Sequence, residues 1–302
     1  MQTFIEILSP GFLLRNAVWT SLLIGLACPL VGVFFVLRRL IFMGVAMPQI
    51  SSTGVAVALT LHVWFGHYHG PHDPTERLLA FAGSVTFSLL AVLWLAFLER
   101  RGRGLVEGRL GTAYVVSAAV SILLLAKCPQ AERGWMNLFK GEIITISSAD
   151  LGLTLATFTV VLFLLWLFNK EFLLVSFDRE MAITLRKNVA GWDLLLYLLM
   201  GLAISIAVLS VGPLISFGFL LIPPLIARLF ANTMRQFALL ASAIGGVGAL
   251  LGFVLAYHWD LPAGPTDVAL LGVFYAIAFF AAKWRRSRHQ PEISSEQSSP
   301  AA

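Results

Sequence analysis

The stretch Leu173–Asp193, LLVSFDREMAITLRKNVAGWD, is a charged, helix-patterned insert between apolar runs that are each long enough to cross a bilayer. Ser176 is placed to cap a helix, Asp178 and Glu180 sit in its first turn, Arg186 and Lys187 in its last, and Asn188 or Gly191 can end it. Acid first and base last complement the helix dipole. Phe177, Met181 and Leu185 recur every four residues and form one apolar stripe. A solvated loop has no use for that stripe, so the helix is expected against the membrane interface or against another protein.

The flanking runs set the fold class. The chain has 302 residues, 58% hydrophobic and 12% charged, whereas soluble domains carry about 25% charged residues. A soluble core of this size could not hide so much apolar surface, so an all-α polytopic integral membrane protein is expected. Candidate spans are 16–37, 44–65, 78–98, 110–126, 151–168, 194–210, 213–230, 236–257 and 267–283, about nine within a range of eight to ten. The loosest joint is Ser210–Pro213, where only a very tight hairpin or a break in one helix fits. Residues 1–285 are expected to form the membrane domain, with 286–302 a disordered polar tail. The first fourteen residues lack a basic region and a small-residue cleavage site, so the first span is expected to be retained.

If the C-terminus is cytoplasmic, sixteen of the 21 Lys and Arg fall in cytoplasmic connections and five outside, which orients the N-terminus outward. The net positive charge thus reports topology; the expected environment is membrane lipid, with no nucleic-acid partner. Trp19, Trp64 and Trp259 then fall at outer span ends and Trp94, Trp166, Trp192 and Trp284 at inner ends. Two cysteines, Cys28 and Cys128, are too few for a disulfide framework.

Polar residues within the spans are neutral, including Gln49, Ser51, Ser52, Thr53, Ser84, Ser88, Ser117, Ser121, Ser205 and Ser216. Such residues serve either close helix packing or a polar path. Pro48 adds an expected distortion whose freed carbonyl either lines that path or is absorbed in packing. An ion-gradient-driven carrier, the alternative transport reading, calls for a carboxylate or imidazole in mid-span, and none is placed there. No phosphate-binding Gly-x-x-x-x-Gly-Lys-Ser/Thr, His-Glu-x-x-His or Gly-x-Ser-x-Gly occurs, so a transport subunit energised by a partner is expected rather than an enzyme, and no cofactor. His62, His67, His69 and His72 crowd one outer loop, HVWFGHYHGPHD, either to capture a metal ion or as a solvated loop.

Four stretches in order resemble the ABC-3 family, the permease subunits of ATP-binding-cassette importers for zinc and manganese. Phe177, Asp178, Glu180 and Ala182 match its Phe-Asp-x-Glu-x-Ala, and LFKGEIITISSADL (138–151), VGPLISFGFLLIPPLIARLF (211–230) and GFVLAYHWDLPAGP (252–265) match its other segments. The resemblance spans roughly residues 12–283. It implies a cytoplasmic coupling helix in which Ser176, Phe177, Asp178, Glu180, Met181, Ala182 and Leu185 meet an ATPase. It implies two cytoplasmic ATP-binding subunits, an extracytoplasmic metal-binding protein, a homodimer or pair of permeases, and a bacterial inner-membrane location. The family often carries Gly-Asp-x-x-x-His-Ala along its translocation path; here Val45 and Gln49 replace the Asp and His, leaving Pro48, Gln49, Ser51 and Ser52 as the path residues. Valine offers no metal ligand and glutamine only a neutral oxygen.

Overall fold

The computed structural model describes residues 14–65, 74–100, 106–127 and 146–289. Every regular element among them is an α-helix: α1 Arg15–Leu37, α2 Ile41–Trp64, α3 Pro74–Arg100, α4 Val106–Lys127, α5 Ser148–Leu167, α6 Asn169–Phe177, α7 Arg179–Thr184, α8 Val189–Phe230, α9 Met234–Trp259 and α10 Ala263–His289. Hydrocarbon supplies no hydrogen-bond partners, and a helix satisfies its own backbone. Seven of these helices, α1, α2, α3, α5, α8, α9 and α10, are long and apolar enough to cross a membrane. The helical run of α10 continues to His289, a few residues into the expected tail.

At the centre stands α8, packed against α1, α2, α3, α5, α9 and α10. Its 42 residues would extend about 63 Å if straight, twice the hydrocarbon thickness. It is not straight. Gly212 has φ 83° and ψ 168°, a conformation open essentially to glycine alone. Pro213 follows at the first position of the second half, where its missing N–H costs nothing. Both ends of α8 reach the same end of α1: Asp193, near its start, pairs with Arg38, and Arg228, near its finish, donates to the Val36 carbonyl. The joint at Ser210–Pro213 is therefore a fold-back, with Val189–Val211 running one way and Pro213–Phe230 returning.

Glycines set how closely the other helices approach. A Cβ on Gly245 of α9 would lie 2.1 Å from the Gly25 carbonyl oxygen of α1, and one on Gly32 of α1 would lie 1.8 Å from the Leu220 oxygen of α8. Where lipid gives no hydrophobic drive between helices, such backbone contact supplies the packing energy. Gly246, Gly248 and Gly252 likewise sit under Leu26, Leu271 and Asp267, so this glycine run is a contact face. Trp19, Trp64, Trp94, Trp166, Trp259 and Trp284 are exposed near helix ends, as expected of interfacial rings. Trp192 departs from that pattern: it packs on Phe168 and Phe172 with ring centroids 5.2 and 5.9 Å away.

Replacing Gly212 with Ala forces a side chain into the glycine-only region. The expected loss is ~1–3 kcal/mol, read as a thermal midpoint several degrees lower in detergent; an unchanged midpoint contradicts the fold-back at this residue.

Candidate functional site

One end of the bundle carries a short helix held by charge. The predicted single helix from Ser176 is two: α6 stops at Phe177, and α7 begins after Asp178, whose Oδ1 accepts from the Met181 N–H at 2.8 Å. Asp178, not Ser176, is thus the N-cap, because the backbone at Asp178 leaves helical geometry (φ −138°, ψ 86°) and turns its carboxylate onto the new helix. The far end of α7 closes with Lys187 N–H on the Ala182 carbonyl and Arg186 N–H on that of Ile183. Arg186 takes the left-handed conformation (φ 54°) that glycine usually fills there. Asn188 corrects a second expectation: rather than ending this helix it opens the next, its Oδ1 accepting from the Gly191 N–H at 3.0 Å.

Ser176 has a different task. Its hydroxyl donates to the Phe172 carbonyl at 2.5 Å and accepts from Arg38 Nε at 2.9 Å. The Arg38 Nη1 meets Asp193 Oδ1 at 2.6 Å, the two side chains only 8% and 13% exposed, and the guanidinium carbon lies 5.4 Å from the centroid of the buried Tyr197 ring. Arg179, the first residue of α7, reaches the other Asp193 oxygen at 3.3 Å. One carboxylate therefore joins the end of α1, the start of α8 and the start of α7. Ala182 is fully buried in a small cluster with Val175 and Val189, which fixes the rotation of α7. Phe177, Met181, Ile183 and Leu185 are each more than half exposed, with Asp178 and Glu180 exposed beside them. The residues of the apolar stripe read from the sequence are thus unburied, but the break at Asp178 separates Phe177 on α6 from Met181 on α7, so they do not run along one continuous helix.

A second feature is a neutral polar seam among α2, α3, α4 and α8. Ser51 and Ser84 hydroxyls meet at 2.5 Å, Ser84 donates to the Ser205 carbonyl, and Ser205 donates to Ser88 at 2.9 Å. Thr53 donates to the Ser117 carbonyl at 2.8 Å, and Gln49 Nε2 reaches Ser121 Oγ at 3.4 Å. Val45 and Gln49, one turn apart, are both partly exposed on α2, whereas Pro48 and Ser52 are buried. The seam offers hydroxyls and one amide, already bonded to one another, and no charge to hold a divalent ion.

At the bundle's other end His62 Nδ1 lies 2.8 Å from Glu76 Oε1, and Arg77 pairs with Asp150 at 3.0 Å. His67, His69 and His72 lie outside the described residues, as does most of 138–151, so the structure brings only His62 of the proposed four to a partner. Among the described residues no group of three or more His, Cys, Asp or Glu could hold a metal. The sequence reading missed Arg38, Asp193 and Glu76 because each stands at a span end, where charge ordinarily marks a solvated loop. Arg38 and Asp193 lie 155 positions apart, so their pairing has no local signal.

The model of the family described as ABC 3 transport family matches residues 12–282. The manganese import system permease protein ScaB of Streptococcus gordonii is 27% identical over 95% of this chain and 97% of its own length. The zinc transport system membrane protein TroC of Treponema pallidum is 29% identical over 92% and 94%. Among solved structures, PsaBC from Streptococcus pneumoniae in complex with Fab superposes with a TM-score of 0.77 at 26% identity, covering 91% of this chain and 94% of that one.

Breaking the Arg38–Asp193 pair from one side leaves a charge stranded in a largely buried place. Arg38→Ala and Asp193→Asn are each expected to cost roughly 3–5 kcal/mol. The double variant should cost clearly less than their sum in a thermal-unfolding cycle; strict additivity contradicts the anchor.

Proposed function

The chain belongs to the ABC 3 transport family, and from that premise we propose that it is the permease of an ATP-driven importer for a divalent metal ion, manganese or zinc, with α7 as the helix that receives the ATPase. The observation carrying this is the anchored α7: capped, rotationally fixed by buried Ala182, and turning an apolar face outward between two acidic residues. An exposed stripe of this kind on a soluble flank favours a protein partner. The chain has no phosphate-binding loop of its own, so nucleotide chemistry falls to that partner and this chain is a transport subunit rather than an enzyme.

The relatives support the cargo class, since ScaB is named for manganese import and TroC for zinc transport. Taking the two limbs of α8 as separate crossings and adding the 22-residue α4 to the other six candidate spans gives nine crossings among the described residues. Odd parity puts the two termini on opposite sides, and the distribution of basic residues favours the N-terminus outside, with the C-terminus and α7 in the cytoplasm of a bacterial inner membrane. A paired permease, two ATP-binding subunits and an extracytoplasmic metal-binding protein complete the assembly. The binding protein meets the end bearing His62 and Glu76, where the 62–73 histidines collect the ion.

Motion follows from the anchor. Closure of the ATPases displaces α7, and Arg179, Asp193 and Arg38 transmit that displacement to α8 and α1 as rigid bodies. The limb of α8 that carries Ser205 borders the seam, so its movement opens and closes the route past Pro48, Gln49, Ser51 and Ser52. With Val45 and Gln49 in place of an acid and an imidazole, the ion passes without a tight resting site.

The ATPase from the same cell should co-purify with this chain. Replacing both Phe177 and Met181 with Glu should abolish that complex while leaving the permease's unfolding midpoint within about 2 °C, because both side chains are already exposed. An undiminished complex rules out α7 as the contact.

A further inference from the structure

The first turns of α1 and α5 lie together at the end of the bundle opposite the α7 anchor, where Asn16 Nδ2 reaches the Ile146 carbonyl at 3.5 Å. Beside that tie the two helices border a cleft of about 670 Å³. Arg15, Trp19, Leu22 and Leu26 line it from α1 at steps of four, three and four residues, which is one face of a helix. Leu151 and Leu155 line it from α5. The α1 wall is firm, because Leu26 lies over Gly246 of α9, where a Cβ would meet its Cδ2 at 2.6 Å. Arg15 and Trp19 are exposed, and no ion pair among the described residues includes Arg15. Asp150, next to the lining Leu151, is already taken by Arg77 and by the Ser147 N–H, each at 3.0 Å.

A cleft with a cation at one end and leucines along its length has the polarity of a lipid. We propose that it binds one anionic phospholipid, with the headgroup phosphate on the Arg15 guanidinium and an acyl chain along Leu22, Leu26, Leu151 and Leu155. A guanidinium presents a planar fork of donors that matches a phosphate. Trp19 stands one turn further in, at the level where a ring can be half in hydrocarbon and still turn its N–H to the headgroups. The eleven residues from Arg15 to Leu26 rise about 16 Å, about half the hydrocarbon thickness, so the cleft is one leaflet deep. Spread over that length its volume gives a mean section of about 40 Å², half that of a helix with its side chains. A hydrocarbon chain fits there and a helix from a second copy does not. The cleft lies on α1 and α5, apart from both the seam and α7, so the lipid is neither cargo nor part of the ATPase contact.

The test is a fluorescence titration of the purified full chain in detergent, with phosphatidylglycerol or phosphatidylcholine brominated on the acyl chains as the probe. Bromine seated in the cleft quenches Trp19, whose share of the emission is the difference between the wild type and Trp19→Phe. Phosphatidylglycerol should quench that share saturably, and phosphatidylcholine should need roughly tenfold more lipid. Arg15→Gln should remove the tenfold preference while leaving the unfolding midpoint within about 2 °C, because Arg15 is exposed. Leu22→Phe with Leu155→Phe narrows the cleft and should weaken quenching by both lipids. Equal quenching by the two lipids overturns the proposal, as does a preference that survives Arg15→Gln. Trp19 shielded from both lipids until the chain is diluted to a monomer assigns the cleft to a second copy and overturns it too.

Discussion

A carboxylate enclosed at the end of a helix bundle must have its countercharge within a few ångströms, and Asp193 meets that requirement from two directions. Arg38 arrives from α1 and Arg179 from α7, so three helices are held by two oxygen atoms. The arrangement is stiff where it is buried and accessible where it is not, since Arg179 remains more than half exposed. Through Asp193, α7 is tied directly to both α8 and α1. Ser176 contributes by holding the Arg38 guanidinium from α6, which keeps the fork aimed at Asp193.

The rest of the bundle answers a different constraint, the absence of water as a hydrogen-bond partner. Hydroxyls near the fold of α8 close onto backbone and onto each other: Ser216 donates to the Gly212 carbonyl, Ser210 to that of Ile206, and Ser210 also meets Thr154 of α5 at 2.7 Å. The reversal at Gly212 is thus flanked by satisfied groups. It lets one element present two limbs to six other long helices, which is why α8 and not the charged insert is the packing centre.

Much of this was legible in the residues. Composition and the lengths of apolar runs suffice for a polytopic helical protein, and the span at 194–210 followed by 213–230 can be read because Gly-Pro at 212–213 has few backbone solutions. The exposure of Phe177, Met181 and Leu185 was legible from their spacing, but the break at Asp178 that divides them between two helices was not. What was not legible depends on long-range pairing. Ser176 looks like a cap by composition, but the cap is decided by where the backbone leaves the helix, which is at Asp178, while the Ser176 hydroxyl is taken up by Arg38 from α1. Asp267 reads as an interfacial acid near a span end; only Gly252, fifteen positions earlier on another helix, shows that it is enclosed. The seam was legible as residue types, not as a bonded network, because hydroxyl pairing between α2, α3 and α8 leaves no periodic trace.

The central claim is that metal crosses this chain only when ATP is consumed on the α7 side. Its most direct test is uptake of radiolabelled manganese and zinc into vesicles holding the permease with its ATPase and supplied with its binding protein. ATP enclosed on the ATPase side should drive accumulation of at least one of the two metals, and a non-hydrolysable analogue should not. Accumulation that proceeds without ATP, or that follows an imposed proton or sodium gradient instead, would contradict it.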